Sequence, residues 1–191
     1  MSLRGAILGF LALEPASGYT LKQRFDGSVQ SFWTATQSQI YRELHALAEE
    51  GAVEATREPG EGKPDRKIYS LTARGRDALA AWLAEPLDPL VLRHPLLLRF
   101  VFAAELKPAE LDGLLERYAE GVAAMRRDYE GRLESEEILG LARSRRERSL
   151  WRLAIRHGID WCAMETAWVS HARRELGRAP KEKKKWTRRT R

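Results

Sequence analysis

Apolar positions along the chain change period, and the changes outline its elements. Leu3, Ile7, Leu8 and Leu11 fall at helical spacing and Pro15 ends the run, which predicts a helix over 3–13. "SGYTLKQRF" starts a second helix, with Ser17 as its N-cap and Tyr19, Leu21 and Phe25 directed to a core. "DGSVQSF" reads as a turn. "TATQSQIYRELHALAEEG", residues 34–51, is a third helix capped by Thr34 or Thr36 and closed by Gly51 in a left-handed conformation. The period then drops to two. Val53, Ala55 and Arg57 alternate as one strand, residues 68–71 form another, and the Gly- and Pro-rich "EPGEGKPD" joins them as a long hairpin loop. Thr72 caps a fourth helix, "ARGRDALAAWLAEP", which stops near Pro86.

"PLDPLVLRHP" has three prolines and no period, so it marks a junction. About four helical segments follow. A short one covers 96–104. A long one starts at Pro108 and carries Leu111, Leu114, Leu115, Tyr118, Val122, Met125 and Tyr129 on one side. A third runs from about 136 towards 157, and the last covers about 159–176, with Gly158 either separating these two or bending one long helix. The expected fold is therefore mostly α with a β-hairpin wing (α+β). A winged helix-turn-helix domain (1–86) and a linker (87–95) precede an all-α domain (96–177) and a basic tail (178–191). Three helices with a wing are a common nucleic-acid-binding architecture. The apolar stripes of the helical half suit dimerisation.

On a 100° wheel centred on Ile40, Leu44 and Leu47 fall within about 40° and form the buried stripe. Ser38, Arg42 and His45 lie opposite, flanked by Gln39, with Tyr41 on the shoulder. No acid precedes Glu43, although a helix N-terminus usually favours one. An outward face of Ser, Gln, Arg and His suits base reading in a groove, where an acid would repel phosphate. It also fits an ordinary solvated helix face. Lys63, Arg66 and Lys67 lie at or just after the hairpin tip, where a wing reaches a flanking minor groove or the backbone; with Glu58, Glu61 and Asp65 among them, they also fit an ordinary exposed hairpin loop.

Composition narrows the picture. The 191 residues carry a net charge of +6. Residues 180–191 hold seven Lys or Arg against one Glu, so residues 1–179 are neutral and the charge belongs to the tail. That tail reads either as a disordered solubilising segment or as an arm adding non-specific phosphate contacts. No apolar run reaches the ~18 residues of a membrane span. With no cleavage site after the first helix and Cys162 as the only cysteine, a cytoplasmic protein is expected. Catalysis is not expected: no nucleophile motif occurs, and Cys162 sits in a helical, packed context. The four histidines (45, 94, 157, 171) make no metal-type pair. "GEGKP" lacks the Ser or Thr of a phosphate-binding loop. Neither a cofactor nor a metal site is expected.

The ordered set "LRGAILGFLAL", "SGYTLKQRF", "QSQIYRELHALAEEGAVE" and "KIYSLTARGRDAL" resembles the winged domain of the PadR family of bacterial transcriptional regulators over about 2–85. The helical half is similar in layout to the larger subgroup of that family. The resemblance implies a homodimer, often a repressor, bound to a pseudo-palindromic double-stranded DNA operator and released by a small effector. It implies DNA contacts at Ser2 and Arg4, at Thr36, Gln37, Ser38, Gln39, Tyr41 and Arg42, and at Lys63 to Lys67. Tyr41 would either contact a phosphate or pack its ring between helices. In the last helices Ala154, His157, Trp161, Met164 and Trp168 recur at heptad-like spacing, just after Trp151. This stripe is either core or dimer interface, or it supplies Trp151, His157, Trp161 and Trp168 to an aromatic effector pocket. The rival reading of the whole chain is a winged-helix protein-interaction module without sequence-specific DNA binding.

Overall fold

A computed structural model describes residues 3–29, 33–59, 66–87, 89 and 93–178, with backbone only at 137, 138 and 178. The elements in chain order are α1 (Leu3–Leu13), β1 (Ala16–Ser17), α2 (Gly18–Ser28), α3 (Gln37–Glu49), β2 (Val53–Glu58), β3 (Arg66–Leu71), α4 (Ala73–Ala84), α5 (Pro95–Val101), α6 (Pro108–Glu134), α7 (Glu136–Leu139) and α8 (Arg145–Arg178). A 3-10 turn, Ala103–Glu105, follows α5. The chain divides into two compact units. One combines Met1–Leu92 with Arg132–Leu153, and the other combines Arg93–Gly131 with Ala154–Arg191. No helix among the described residues is long and apolar enough to cross a membrane.

The first unit contains a winged helix-turn-helix, built from α1 to α4 and the three strands. Its helices start where side-chain caps satisfy otherwise unpaired N–H groups. Ser17 Oγ accepts from Thr20 N–H, and Thr72 Oγ1 from Gly75 N–H. At α3, Thr36 Oγ1 accepts from Gln39 N–H at 3.3 Å while Thr36 N–H donates to Gln39 Oε1 at 2.8 Å, a reciprocal capping box. Gly51 follows α3 at φ 71°, as the sequence predicts. The core joins Ile7, Leu8 and Leu11 of α1, Leu21 and Phe25 of α2, the α3 stripe Ile40, Leu44 and Leu47, and Val53, Tyr69 and Leu71 of the sheet. Each of the three α3 residues is withdrawn completely from water, worth about 1.5–3 kcal/mol apiece. Tyr19 departs from expectation: it stays 60% exposed. The sheet is antiparallel in the order β1-β3-β2. β1 is too short to show a period, and only its pairing with β3 reveals it.

In the second unit α6 and α8 run antiparallel. Leu115 meets Val169 and Ala172, and Val122 and Tyr129 meet Cys162. Both Leu96 and Phe100 of α5 join the first of these clusters, with Phe100 edge-on to Trp168 at 5.1 Å. A buried polar group interrupts the apolar packing. Glu165 accepts from the Tyr118 hydroxyl at 2.8 Å, and His94 Nε2 stands 3.2 Å from the same carboxylate oxygen. His94 Nδ1 accepts from Leu97 N–H and so caps α5. An accepting Nδ1 leaves the ring proton on Nε2, pointing at Glu165. Burial, then the Glu165 carboxylate, pushes the Tyr118 hydroxyl far above its usual range, so it keeps the proton it donates to Glu165.

α8 is one helix rather than two. Of the two alternatives at Gly158, the continuous helix is the one found, and Gly158 serves packing: a Cβ there would lie 2.3 Å from the Tyr129 ring. The break falls earlier, between α7 and α8, where Ser144 Oγ accepts from Glu147 N–H and starts the helix afresh. Replacing Gly158 with Ala should therefore destabilise the fold by about 1–3 kcal/mol through overpacking, offset by up to ~1 kcal/mol of helix propensity. Gly121→Ala in α6, where nothing lies within 4 Å, should stabilise it by up to ~1 kcal/mol. Denaturant melts of the two variants should move in opposite directions, and a shared direction would refute the packing assignment.

Candidate nucleic-acid interface

Burial of Ile40, Leu44 and Leu47 sets the rotation of α3 about its axis. Ser38, Arg42 and His45 consequently face solvent. Gln37 is exposed at the first turn, and Thr36 and Gln39 are exposed but occupied with each other in the capping box. The carbonyl oxygen of Gln39 is thereby used, which leaves its amide nitrogen as the donor available for a partner.

Beside α3 lies a groove of about 720 Å³ lined by Ser17, Tyr19, Thr20, Gln23, Tyr41, Arg57, Arg66 and Lys67. The side chains come from the start of α2, from α3 and from the wing. Their types are hydroxyls, an amide, two phenols and three cations, with no acid among them. Tyr41 forms part of this wall because its ring lies over Gly18: a Cβ on Gly18 would come within 2.6 Å of Tyr41 Cε1. The packing reading of Tyr41 is thus the one the geometry supports, and the same ring lines the groove. The neighbouring Tyr69 hydroxyl is pushed up from its ordinary range, first by burial and then by Tyr41, and stays protonated.

The wing delivers Arg57 and Lys67 by register. Val53 pairs with Leu71, Ala55 with Tyr69 and Arg57 with Lys67. Directly paired residues share a face of the sheet, and alternate residues along each strand repeat it. The face that carries Val53, Leu71 and Tyr69 into the core therefore carries Arg57 and Lys67 beyond the end of that core. Two like charges directly opposite each other are destabilising unless an anion lies between them. Arg57, Arg66 and Lys67 make no ion pair among the described residues.

The other sequence-derived residues are placed as follows. Arg4 is paired with Glu50 and stands 4.0 Å from Glu43, towards the acidic end of α3 rather than in the groove. Ser2, Lys63 and the tail from 179 onward lie outside the described residues. Trp151 is half-buried and His157 exposed, while Trp161 and Trp168 are half-buried against separate apolar clusters. The buried line of α8 runs through Gly158, Cys162, Glu165, Val169 and Ala172. It is offset by about one residue from the tryptophan stripe, so that stripe flanks the core instead of forming it. Among the described residues no cluster of three or more His, Cys, Asp or Glu suited to a metal comes together.

Sequence reasoning did not single out Ser17, Tyr19, Thr20, Gln23 or Arg57 as surface ligands. Arg57 alone carried a usable signal, since it continues the alternation of Val53 and Ala55 outward. The α2 residues become groove walls only through the way α2 and the wing meet.

Residues 7–81 match the transcriptional regulator PadR-like family, and residues 92–177 match the virulence activator alpha C-terminal family. A probable transcriptional regulator of Mycobacterium tuberculosis is 47% identical over 89 residues, a match that spans 47% of this chain and 47% of that protein. The negative transcriptional regulator PadR of Bacillus subtilis is 31% identical over 134 residues, covering 69% of this chain and 73% of that protein. The crystal structure of Bacillus subtilis PadR in complex with operator DNA has a TM-score of 0.80 at 25% identity, over 91% of this chain and 98% of that one. The same protein in complex with p-coumaric acid gives 0.74 at 24% identity, over 92% and 98%. These relatives are regulators and not enzymes. The chain belongs to the PadR family of transcriptional regulators.

Proposed function

We propose that the chain binds double-stranded operator DNA as a homodimer and acts as a repressor released by a small, aromatic effector. The observation that carries DNA binding is the joined surface of α3 and the groove. An exposed helix face with Ser38, Arg42 and His45 meets a groove with three cations and no acid. The helix is the right size for a major groove, and Arg42 suits guanine or phosphate. The groove, with its hydroxyls and cations, suits the sugar-phosphate strand flanking that site. Net charge offers no such support, because residues 1–83 hold ten basic and ten acidic side chains. Placement of charge supports the reading where its total does not.

A dimer is supported by exposed apolar side chains in the helical part. Leu98, Val101 and Phe102 are 68%, 75% and 69% exposed, and Leu150, Leu153 and Met164 of α8 are also exposed. A pseudo-palindromic operator follows from two-fold symmetry of such a dimer. The effector reading draws on Trp151, His157, Trp161 and Trp168, and on the p-coumaric acid complex of the Bacillus subtilis relative. Titration with p-coumaric acid and a panel of other aromatic acids should change tryptophan fluorescence and release the operator. A panel without effect on either would remove the effector from the proposal.

Selection of bound genomic fragments should return an operator, and anisotropy titrations then test the residues. Arg42→Ala should cost about 1–3 kcal/mol, concentrated at one base position if Arg42 reads a base. No binding to any fragment at low salt would favour a protein-interaction module instead. Arg57→Ala should weaken binding evenly across sequences and lower the salt slope by about 1. The same change should raise folding stability at low salt by about 0.2–1 kcal/mol, because it relieves the Arg57–Lys67 cross-strand repulsion. A residue kept for structure alone would lose stability, so the opposed signs separate the two roles.

A further inference from the structure

The segment 132–153, which includes the end of α6, α7 and the start of α8, belongs to the same compact unit as the winged domain. Two arginines of this turn reach main-chain carbonyls of that domain. Arg132 Nη1 donates to Ser28 O at 2.8 Å, and Arg143 Nη1 donates to Ala12 O. Ser28 is the last residue of α2, and Ala12 is the last but one of α1. Carbonyls in the final turn of a helix have no partner within the helix and form the negative end of its dipole. A guanidinium is suited to both features, since it is always charged and donates in a rigid fork.

The arginines are themselves held. Arg143 N–H donates to Glu147 Oε2 at 2.8 Å, and its Nη2 lies 3.2 Å from Glu147 Oε1. Arg148 pairs with Glu136 across the turn, and Leu139 between them is buried. The turn therefore has a defined shape, fastened at two separate points. One point is the end of the helix that leads into α3. Two attachments on different helices resist rotation in a way that one does not.

We propose that Arg132 and Arg143 are positioning residues: they fix the winged domain on the α6–α8 turn and thereby set the half-site spacing that a dimer accepts. The spacing part rests on the operator-binding reading above. Each base pair added between half-sites turns them by roughly a tenth of a helical turn, so a rigid attachment discriminates and a loose one tolerates.

The test uses full-length chain carrying Glu54→Cys on exposed β2, spin-labelled, with buried Cys162 left unreacted. Distances between the two labels of a dimer are measured with and without Arg132→Ala and Arg143→Ala. Parallel titrations use the selected operator with its spacing changed by one and two base pairs. The parent protein should give a narrow distance distribution and about a tenfold loss of affinity per base-pair change, the scale of one mismatch. The double variant should give a broadened distribution and a penalty reduced to about twofold, with affinity for an isolated half-site unchanged. If the double variant does not fold, Arg143→Ala alone, at an exposed side chain, should produce the same shift at smaller size. A folded variant with an unchanged distance distribution and spacing profile overturns the proposal, as does a parent chain that is monomeric at micromolar concentration. Broadened distances in a protein that binds no DNA would sink the operator reading and uphold the attachment.

Discussion

The complete withdrawal of Ile40, Leu44 and Leu47 from water is the constraint on which the outward face of α3 depends. Three side chains spaced four and three residues apart define one line along α3, and their burial removes the helix's freedom to roll. Everything outward follows from that line. Ser38, Arg42 and His45 face solvent because they lie opposite it, and Tyr41 stands on the shoulder where its ring can rest on Gly18. A shift of the buried line by one position would turn the surface by about 100° and point Tyr41 into the core.

The wing obeys the same logic with a different period. Its paired face begins as core at Val53 and Leu71, continues through Ala55 and Tyr69, and ends in Arg57 and Lys67. The transition from packing to charge happens along one face within six residues per strand. Such a hairpin is anchored at one end by burial and carries its unfavourable charge pair at the other. The core at its base makes the exposed end tolerable. In a winged domain neutral by count, Arg57 and Lys67 thus stand together on one face of the wing, while Glu54 and Glu58 of β2 fall on the other face by register, and Glu43, Glu50 and Glu14 are held by Arg4 and Arg24.

Much of this arrangement was legible from residue spacing. Ser17, Thr36 and Thr72 are caps that chemistry makes recognisable, and the α3 wheel depends on a stripe long enough to show its period. The rest was hidden for identifiable reasons. β1 has two residues, so only its partner strand reveals it. Tyr19 looked like core because its type is often buried, yet in α2 it falls beside the Leu21–Phe25 line and becomes a groove wall. Gly158 left two readings open, a break or one long helix, because Tyr129, twenty-nine positions earlier, fills the space of its missing side chain and sequence spacing does not show that contact. The tryptophan stripe of α8 repeats convincingly in sequence, but the glycine, cysteine and small residues next to it make the closer contact. Local propensity marks where elements start; the depth of packing between distant elements selects which of two adjacent stripes is buried.

The capping box of α3 has a thermodynamic consequence. Thr36 and Gln39 close the first turn from within the helix, so its N–H groups are partly satisfied before any partner arrives. Nucleating a helical turn is the costly step of helix formation, and here it is complete in the free protein. Association then requires little ordering of α3. Its heat-capacity change should reflect surface buried in the contact rather than a coupled folding event, and its speed should be set by charge-steered encounter instead of by waiting for a helix to form.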